Sequence, residues 1–500
     1  MPNDSSCAWH ALACPRCGAP LAGLSCEGCG ATYGEAFGVP FIGDFEAADA
    51  LGLIEIAANA RNRATLAVPA GTIERLDALC AGYHAAPDKA AFKAAHQEAR
   101  AFYFMNRYHE WLAVETLLEG HDLTGKQVLD IGAGTGFDAG RLALRGARVT
   151  ALEFSPILAE AGRRGFPDIR WFGGFSHALP FATGAFDYVF INAALHHMRD
   201  IPTSIAEALR VLRPGGTLIT SGDPFRADSV GETLEFNVFD RHEGVLGGIN
   251  EQIPRASDFF ATLAANRAVL APELFTDTLH GGRSGSGPPL TDWTRWDFDA
   301  DADLLRQRSG GLAMRVTLKA PWPHPPALQR DGALAPTTFA AWLEEPDNVV
   351  ARLARIVPRD LVDTPFPGAP AKFDLLNGWR VAQSTATTRT AFRRARLFRT
   401  RRAAPRIEFE MRAPTPATFT FLVNAHPVGT AELGATWGPV SIEVSAVPQG
   451  DVFLLEFRRE GEAADFDAAC FEVRLPGARA GLAEQLLVFA RRLRRRLRGG

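Results

Sequence analysis

Five hundred residues at 54.1 kDa are about three ordinary domain lengths, so two to four domains are expected. A hydrophobic fraction of 47% with 22% charged residues excludes a largely disordered chain. The net charge of −4 argues against a general polyanion binder, but it is unevenly laid out: six arginines lie in the last ten residues, and without them the body carries −10.

In chain order, residues 1–45 are rich in Cys and Gly around 14-CPRCGAPLAGLSCEGCGATYG-34. The N-terminus has neither a basic region nor an apolar core, which predicts no signal peptide, and no apolar run approaches a membrane span. Cys14, Cys17, Cys26 and Cys29 form two C-x-x-C pairs, each followed by glycine. Two such pairs in a cysteine-poor chain predict metal binding in a reducing, cytoplasmic setting rather than disulfides. Four thiolates without histidine favour a closed, tetrahedral, structural Zn2+ site, with an iron–sulfur centre or a redox pair as the alternatives. Cys7, Cys80 and Cys470 lack partners in sequence and read as plain thiols.

Residues 46–120 are Ala-rich with helical spacing, and the aromatic stretch 102-FYFMNRYHEW-111 lies on a helix. That stripe reads as core, with a lid role for Tyr103, Tyr108 and His109 as the alternative. From Lys126 to Ser221 the pattern alternates strand and helix: QVLDI, a Gly-rich turn, a helix through Arg145, VTALE, FDYVFIN, a helix over 204–212, and GTLITSG. Such alternation predicts a parallel sheet covered on both faces. The turn 130-DIGAGTG-136 opens a helix, so its glycines admit close ligand approach and the helix end presents free N–H groups. Glu153, at the end of the next strand, stands where a carboxylate can hold a ribose diol. The strand FDYVFIN ends in 192-NAALHHM-198, which places Asn192, His196 and His197 at the carboxyl end of the sheet. Either histidine suits a general base, and capping or packing is the structural alternative.

The ordered set Asp130–Gly136, Glu153, 178-ALPFATGAFDYVF-190, 195-LHHM-198 and 212-LRPGGTLI-219 resembles class I S-adenosylmethionine-dependent methyltransferases, nearest the group containing the ubiquinone and menaquinone biosynthesis enzymes. The resemblance covers about 100 residues. It implies an α/β, Rossmann-like seven-stranded methyltransferase core. In that family Asp130, Gly132, Gly134 and Gly136 lie at the cofactor's methionine, Glu153 at its ribose and Phe154 at its adenine. One position departs: where the family usually has an aspartate for the adenine amino group, this chain has Phe175, followed by Ser176. Phe175 either stacks on adenine or packs in the core while Ser176 meets the ring through its backbone; weakened cofactor binding is the sharper reading. The run from Cys14 to Ile42 resembles small zinc ribbons that activate, or are fused to, methyltransferases.

Beyond Asp223, residues 254–267 read as a helix and 311–320 as a strand, and the Pro-rich 321-PWPHPPALQR-330 as a linker. From about 372 short alternating strands separated by Pro, Gly or Asn predict a C-terminal β-sandwich. It loosely resembles β-sandwiches attached to enzymes of surface-polysaccharide synthesis; Trp379 and Arg389 read as core and solvated residues, with glycan contact as the alternative. The tail, 482–498, places Leu482, Leu486, Phe489 or Ala490, Leu493 and Leu497 on one helical face and arginines on the rest, an arrangement suited to peripheral contact with an anionic membrane surface, a solvated end or nucleic acid.

The expected domains are a zinc ribbon at 1–45, a methyltransferase domain at 46–322 with its core at 120–225, a linker at 323–371, a sandwich at 372–476 and a basic tail at 477–500. The expected activity is O-methylation of a glycan or small-molecule intermediate of surface-polysaccharide synthesis. The rivals are an RNA base methyltransferase, against which the acidic body argues, and a non-catalytic scaffold.

Overall fold

The computed structural model describes residues 12–46, 71–88, 113–229, 253–276, 294–329, 332–345, 349–353, 388–392, 394–400, 406–424, 426–443, 452–461 and 470–474, with Trp111 and short pieces between 49 and 95. Tyr103, Tyr108, His109, Trp379, Cys7 and the basic tail lie outside the described residues. The chain divides into two compact units, 1–45 with 58–242 and 251–344, and 46–57 with 243–250 and 345–500.

The first unit begins with two short hairpins, β1 (Leu21–Ala22) with β2 (Ser25–Cys26) and β3 (Gly34–Ala36) with β4 (Val39–Phe41). After β5 (Phe45–Glu46) and α1 (Thr72–Ala85) come β6 (Gln127–Ile131), α2 (Phe137–Leu144), β7 (Arg148–Glu153), α3 (Pro156–Gly165), β8 (Arg170–Gly173), β9 (Phe186–Asn192) and α4 (Ile201–Arg210). Then follow β10 (Leu212–Phe225), α5 (Ala256–Ala265), β11 (Leu270–Thr276), β12 (Thr294–Trp296), α6 (Phe298–Leu305), β13 (Gly310–Leu318), β14 (Gly332–Leu334) and α7 (Pro336–Leu343).

Ten strands form one sheet in the order β12-β11-β13-β10-β9-β6-β7-β8-β4-β3. The expected seven strands are its centre, and the sheet is larger and mixed. Strands β6 to β10 run parallel, whereas β13 lies antiparallel between β10 and β11. One extra strand, β12, joins one edge. The hairpin β3–β4 joins the other, where Phe41 pairs with Gly173 and a Cβ at Gly173 would overlap the Phe41 ring. Central strands such as β9 are buried along most of their length, so they read as apolar runs rather than alternating ones.

The N-terminal segment therefore packs as part of the core unit instead of standing apart. Leu12 bridges to Phe181, and the Ala13 N–H donates to the Pro180 carbonyl. The Pro-rich segment 321–329 is likewise strapped onto the core. Trp322 and Gln329 are buried, Gln329 donates its backbone N–H to the Pro15 carbonyl, and the Ala327 N–H donates to Glu207. A polar residue with backbone partners on two segments holds such a strap as a strand cannot when prolines remove the donors.

Under this strap lies a buried ion pair on α4. Arg210 donates through Nε and Nη2 to Glu207 at 2.7 Å and to the carbonyls of Phe181 and Leu179. Glu207 also accepts the Leu179 N–H.

In the second unit, after α8 (Val349–Leu353), come β15 (Thr388–Phe392), β16 (Arg394–Thr400), β17 (Arg406–Arg412), β18 (Ala417–Val423), β19 (His426–Leu433), β20 (Gly438–Glu443), β21 (Val452–Arg459) and β22 (Cys470–Arg474). They make two four-stranded antiparallel sheets, β15-β22-β17-β20 and β16-β21-β18-β19. Phe409, Phe471 and Val473 of one sheet meet Phe419, Phe421 and Phe457 of the other in a shared apolar core. Alternation of buried and exposed residues along β17 and β20 is the period-two pattern of strands with one buried face.

Candidate functional site

The carboxyl ends of β6, β7, β9 and β10 converge where the strand order reverses, the place ligands occupy in open α/β sheets. The turn after β6 is held by its glycines. Gly132, Gly134 and Gly136 have φ of +73°, +56° and +90°, a region in which side chains are strained. Their surroundings differ. A Cβ at Gly132 would meet the Ala194 Cβ at 2.7 Å, and one at Gly136 the Trp171 ring at 2.7 Å. At Gly134 it would meet nothing within 4 Å, so the turn opens a cradle at this residue.

Glu153 lines that cradle. Its carboxylate accepts the Gly134 N–H at Oε2 and the Ser155 N–H at Oε1, both at 2.8 Å. Burial pushes its pKa up, opposed by bonds from the backbone N–H groups of Ser155, Gly134 and Phe154. The turn's own N–H groups are used within the protein, Gly132 and Ala133 donating to the Leu152 carbonyl and Gly136 to the Ala133 carbonyl. A buried carboxylate beside a glycine turn with open space at Gly134 is a shape and acceptor that suit a ribose diol. The residues fit S-adenosylmethionine.

The other expected site residues separate into distinct roles. Asp130 is buried in β6 beneath the turn. Asn192 is tied to the helix that the turn opens: its Nδ2 donates to Asp138 Oδ2 at 2.8 Å, Asp138 pairs with Arg141, and Arg141 pairs with Asp77 of α1. Phe175 sits among aromatic rings. It is 2% exposed and packs its ring on Phe41, Phe45 and Phe154 at 5.6–5.8 Å between centroids. Phe45 and Phe41 come from the N-terminal segment, so Phe175 anchors that segment. Ser176 donates its hydroxyl to Ser204 Oγ at 2.9 Å, which in turn donates to the Asp200 carbonyl, fastening this loop to α4.

The two histidines differ sharply. His197 is exposed, whereas His196 is buried in the single helical turn 195–197 that also carries Ala194 against Gly132. Their rings lie 4.0 Å apart. His196 Nδ1 is 2.8 Å from Asp223 Oδ1, and its backbone N–H donates to the same oxygen at 3.1 Å. Sequence reasoning misses Asp223. The Gly222 inside an apolar strand is the available signal, since glycine there often marks a bulge.

The four cysteines converge as expected. Their Sγ atoms lie within 4.8 Å of one another, with Cys14 and Cys29 at 3.6 Å and Cys17 and Cys26 at 3.4 Å. The Gly18 and Gly30 N–H groups close turns onto the Cys14 and Cys26 carbonyls. Tyr33, buried beside them, places its hydroxyl 3.0 Å from Cys14 Sγ. A tetrahedron with metal–sulfur bonds of about 2.3 Å has edges of about 3.8 Å, and the sulfur separations lie on either side of that length.

Sheet order, glycine turn and acidic partner define a Rossmann-like methyltransferase fold. Within it, residues 129–220 match the family described as a methyltransferase domain. The chain is 41% identical over 97 residues to demethylmenaquinone methyltransferase of Renibacterium salmoninarum, covering 19% of this chain and 41% of that one. It is 32% identical over 158 residues to trans-aconitate 2-methyltransferase of Deinococcus radiodurans, covering 31% and 57%. Thus the chain spans about two fifths of the length of the first of these relatives. Among solved structures it is similar to geranyl diphosphate C-methyltransferase from Streptomyces coelicolor, with TM-score 0.30, 18% identity and coverage of 41% and 74%. No helix among the described residues is long and apolar enough to cross a membrane.

Proposed function

We propose that this chain is an S-adenosylmethionine-dependent methyltransferase that methylates a hydroxyl of a glycan, or of a small-molecule intermediate, in surface-polysaccharide synthesis. The observation that carries the reading is the open cradle at Gly134 facing the buried Glu153 carboxylate. When bound there, S-adenosylmethionine supplies a methyl group on a positively charged sulfur. Glu153 holds the ribose diol, and the space the turn leaves at Gly134 takes the amino-acid end, so that the chain's part is to position the reactants. The match of residues 129–220 supports the activity. Support for the substrate class comes from the strands of residues 388–474, whose pattern resembles accessory domains of polysaccharide enzymes.

We also assign Cys14, Cys17, Cys26 and Cys29 to a structural Zn2+, since four thiolates leave no coordination position for a substrate. Zinc there braces the segment whose Phe41 and Phe45 pack on Phe175.

Calorimetry with S-adenosylmethionine tests the activity, with Gly134→Arg as the control that fills the cradle. Binding by the wild type and its loss in the variant are expected; no heat at millimolar ligand rejects the reading. Elemental analysis expects one zinc per chain, lost in the double variant Cys14→Ser with Cys17→Ser. Comparison of surface glycans from cells with and without the protein expects a mass difference of one methylene.

A further inference from the structure

We propose that Asp223 is a positioning residue that holds His196 as a general base, so that the acceptor is a neutral hydroxyl rather than a carboxylate. This rests on the function proposed above. Three independent features of the strand ends point to it.

The register of β10 against β13 shifts between Thr220 and Asp223, and Gly222 in that shift has φ +73°. A bulge of this kind re-aims the following side chain. It turns Asp223, 1% exposed, onto the ring of His196 from the adjacent strand end. One carboxylate oxygen takes both the ring Nδ1 and the backbone N–H of His196, which fixes the ring's position as well as its tautomer.

The second feature is strain. Ala193 has φ +46°, a conformation that is costly for a residue with a Cβ, by roughly 1 kcal/mol. It is held by a 2.7 Å bond from its N–H to the Ser221 carbonyl, on the same bulged stretch of β10. The strained residue leads directly into Ala194, which abuts Gly132 of the cofactor turn, and then into His196. Helix and sheet stability need no such conformation here; it serves to place this short turn.

The third is unsatisfied polarity. The Thr220 and Ser221 hydroxyl oxygens and Asp223 Oδ2 are buried without hydrogen-bond partners among the described residues. Buried polar atoms are normally satisfied, so this group at the strand end marks a place for polar ligand atoms or water.

A carboxylate can only accept, so Nδ1 must donate to Asp223, and the neutral ring then keeps its lone pair on Nε2. During transfer the acceptor oxygen forms its bond to the methyl carbon as its proton passes to Nε2. The carbon–sulfur bond breaks and its electron pair stays on sulfur, neutralising the sulfonium. A carboxylate acceptor carries no proton to remove at neutral pH and gains nothing from this base, whereas an alcohol gains about 10²–10⁴-fold.

The test uses the full chain labelled with 15N-histidine, with the His196 signal assigned from a His196→Gln spectrum. The wild type is expected to show the Nδ1–H tautomer at neutral pH, and Asp223→Asn and Asp223→Ala to lose it. S-adenosylmethionine affinity in the variants should stay within about threefold of wild type. Methyl-labelled S-adenosylmethionine, supplied to an extract of source cells lacking the gene, should give label that mild alkali does not release and hydriodic acid releases as methyl iodide. Asp223→Asn should slow that transfer about 10²–10⁴-fold. An Nε2–H tautomer in the wild type, or a tautomer unmoved in both variants, overturns the role of Asp223. Should neither variant fold, the wild-type tautomer decides alone. Label released by alkali, or retained in hydriodic acid, overturns the hydroxyl acceptor. Cofactor binding without transfer to any extract component overturns the base. Absence of cofactor binding overturns the function proposed above, and is distinguishable because the tautomer is read without cofactor.

Discussion

Replacing Gly134 with alanine separates the cofactor turn's role in binding from its role in folding. At φ +56° an alanine costs about 1–2 kcal/mol of backbone strain, but its methyl enters open space and clashes with nothing. Gly136→Ala carries the same kind of strain and also drives a methyl to 2.7 Å from Trp171 and 2.9 Å from Phe166. Overpacking of that kind adds about 1–3 kcal/mol, for a total of roughly 2–5 kcal/mol. The expected result is that Gly134→Ala stays folded, with a melting temperature only a few degrees lower, yet loses S-adenosylmethionine affinity by at least about tenfold, or about 1.4 kcal/mol. Gly136→Ala should lose more stability than affinity. Calorimetric binding and thermal unfolding, run on both variants, give the comparison. If Gly134→Ala binds as tightly as the wild type, the cradle is not the cofactor's, and if it unfolds as readily as Gly136→Ala, the space above Gly134 is not open.

Three further outcomes are expected. Arg210→Met leaves Glu207 buried without its partner and should cost about 3–5 kcal/mol in denaturant unfolding; a cost below about 1 kcal/mol counts against the strap and ion-pair account. Phe175→Asp puts a carboxylate inside a cluster of rings, so it should destabilise by roughly 3–5 kcal/mol without tightening S-adenosylmethionine. Improved affinity in that variant returns Phe175 to the adenine. Finally, burial raises the Glu153 pKa, and only its ionised form accepts both ribose hydroxyls. Affinity should therefore weaken as pH falls through that raised value, and Glu153→Gln should flatten the profile. In the free protein the sign is opposite. The raised pKa favours folding below the unfolded value of about 4.3, and this contribution is lost as pH rises through the folded one. Isothermal titration and unfolding across roughly pH 4–8 measure both slopes.

Local chemistry makes much of this protein legible in its sequence. The strands QVLDI, VTALE and FDYVFIN, the glycine turn and Glu153 are written in short-range pattern, because strand periodicity, turn chemistry and helix starts depend on neighbours along the chain. The four cysteines belong with these, since thiolate spacing alone restricts what they can hold. What lies beyond reach involves contacts between distant segments. The pairing of β4 with β8, and of Pro15 with Gln329, depends on which edges and carbonyls are left open once the sheet has formed. A Pro-rich stretch that reads as a linker is for this reason a strap.

The sequence by itself determined the chemistry on offer: a nucleotide-type cradle, a thiolate cluster and two candidate bases at one strand end. Tertiary structure decided which groups act together. It set Asp223 against the ring of His196 and left that of His197 exposed. It also packed Phe175, for which the sequence leaves both adenine stacking and core packing open, among rings, because Phe41 and Phe45 arrive there from distant positions in the chain. The physical reason is that a tautomer and a buried ring are set by partners, and partners in a folded chain are assigned by packing rather than by sequence spacing.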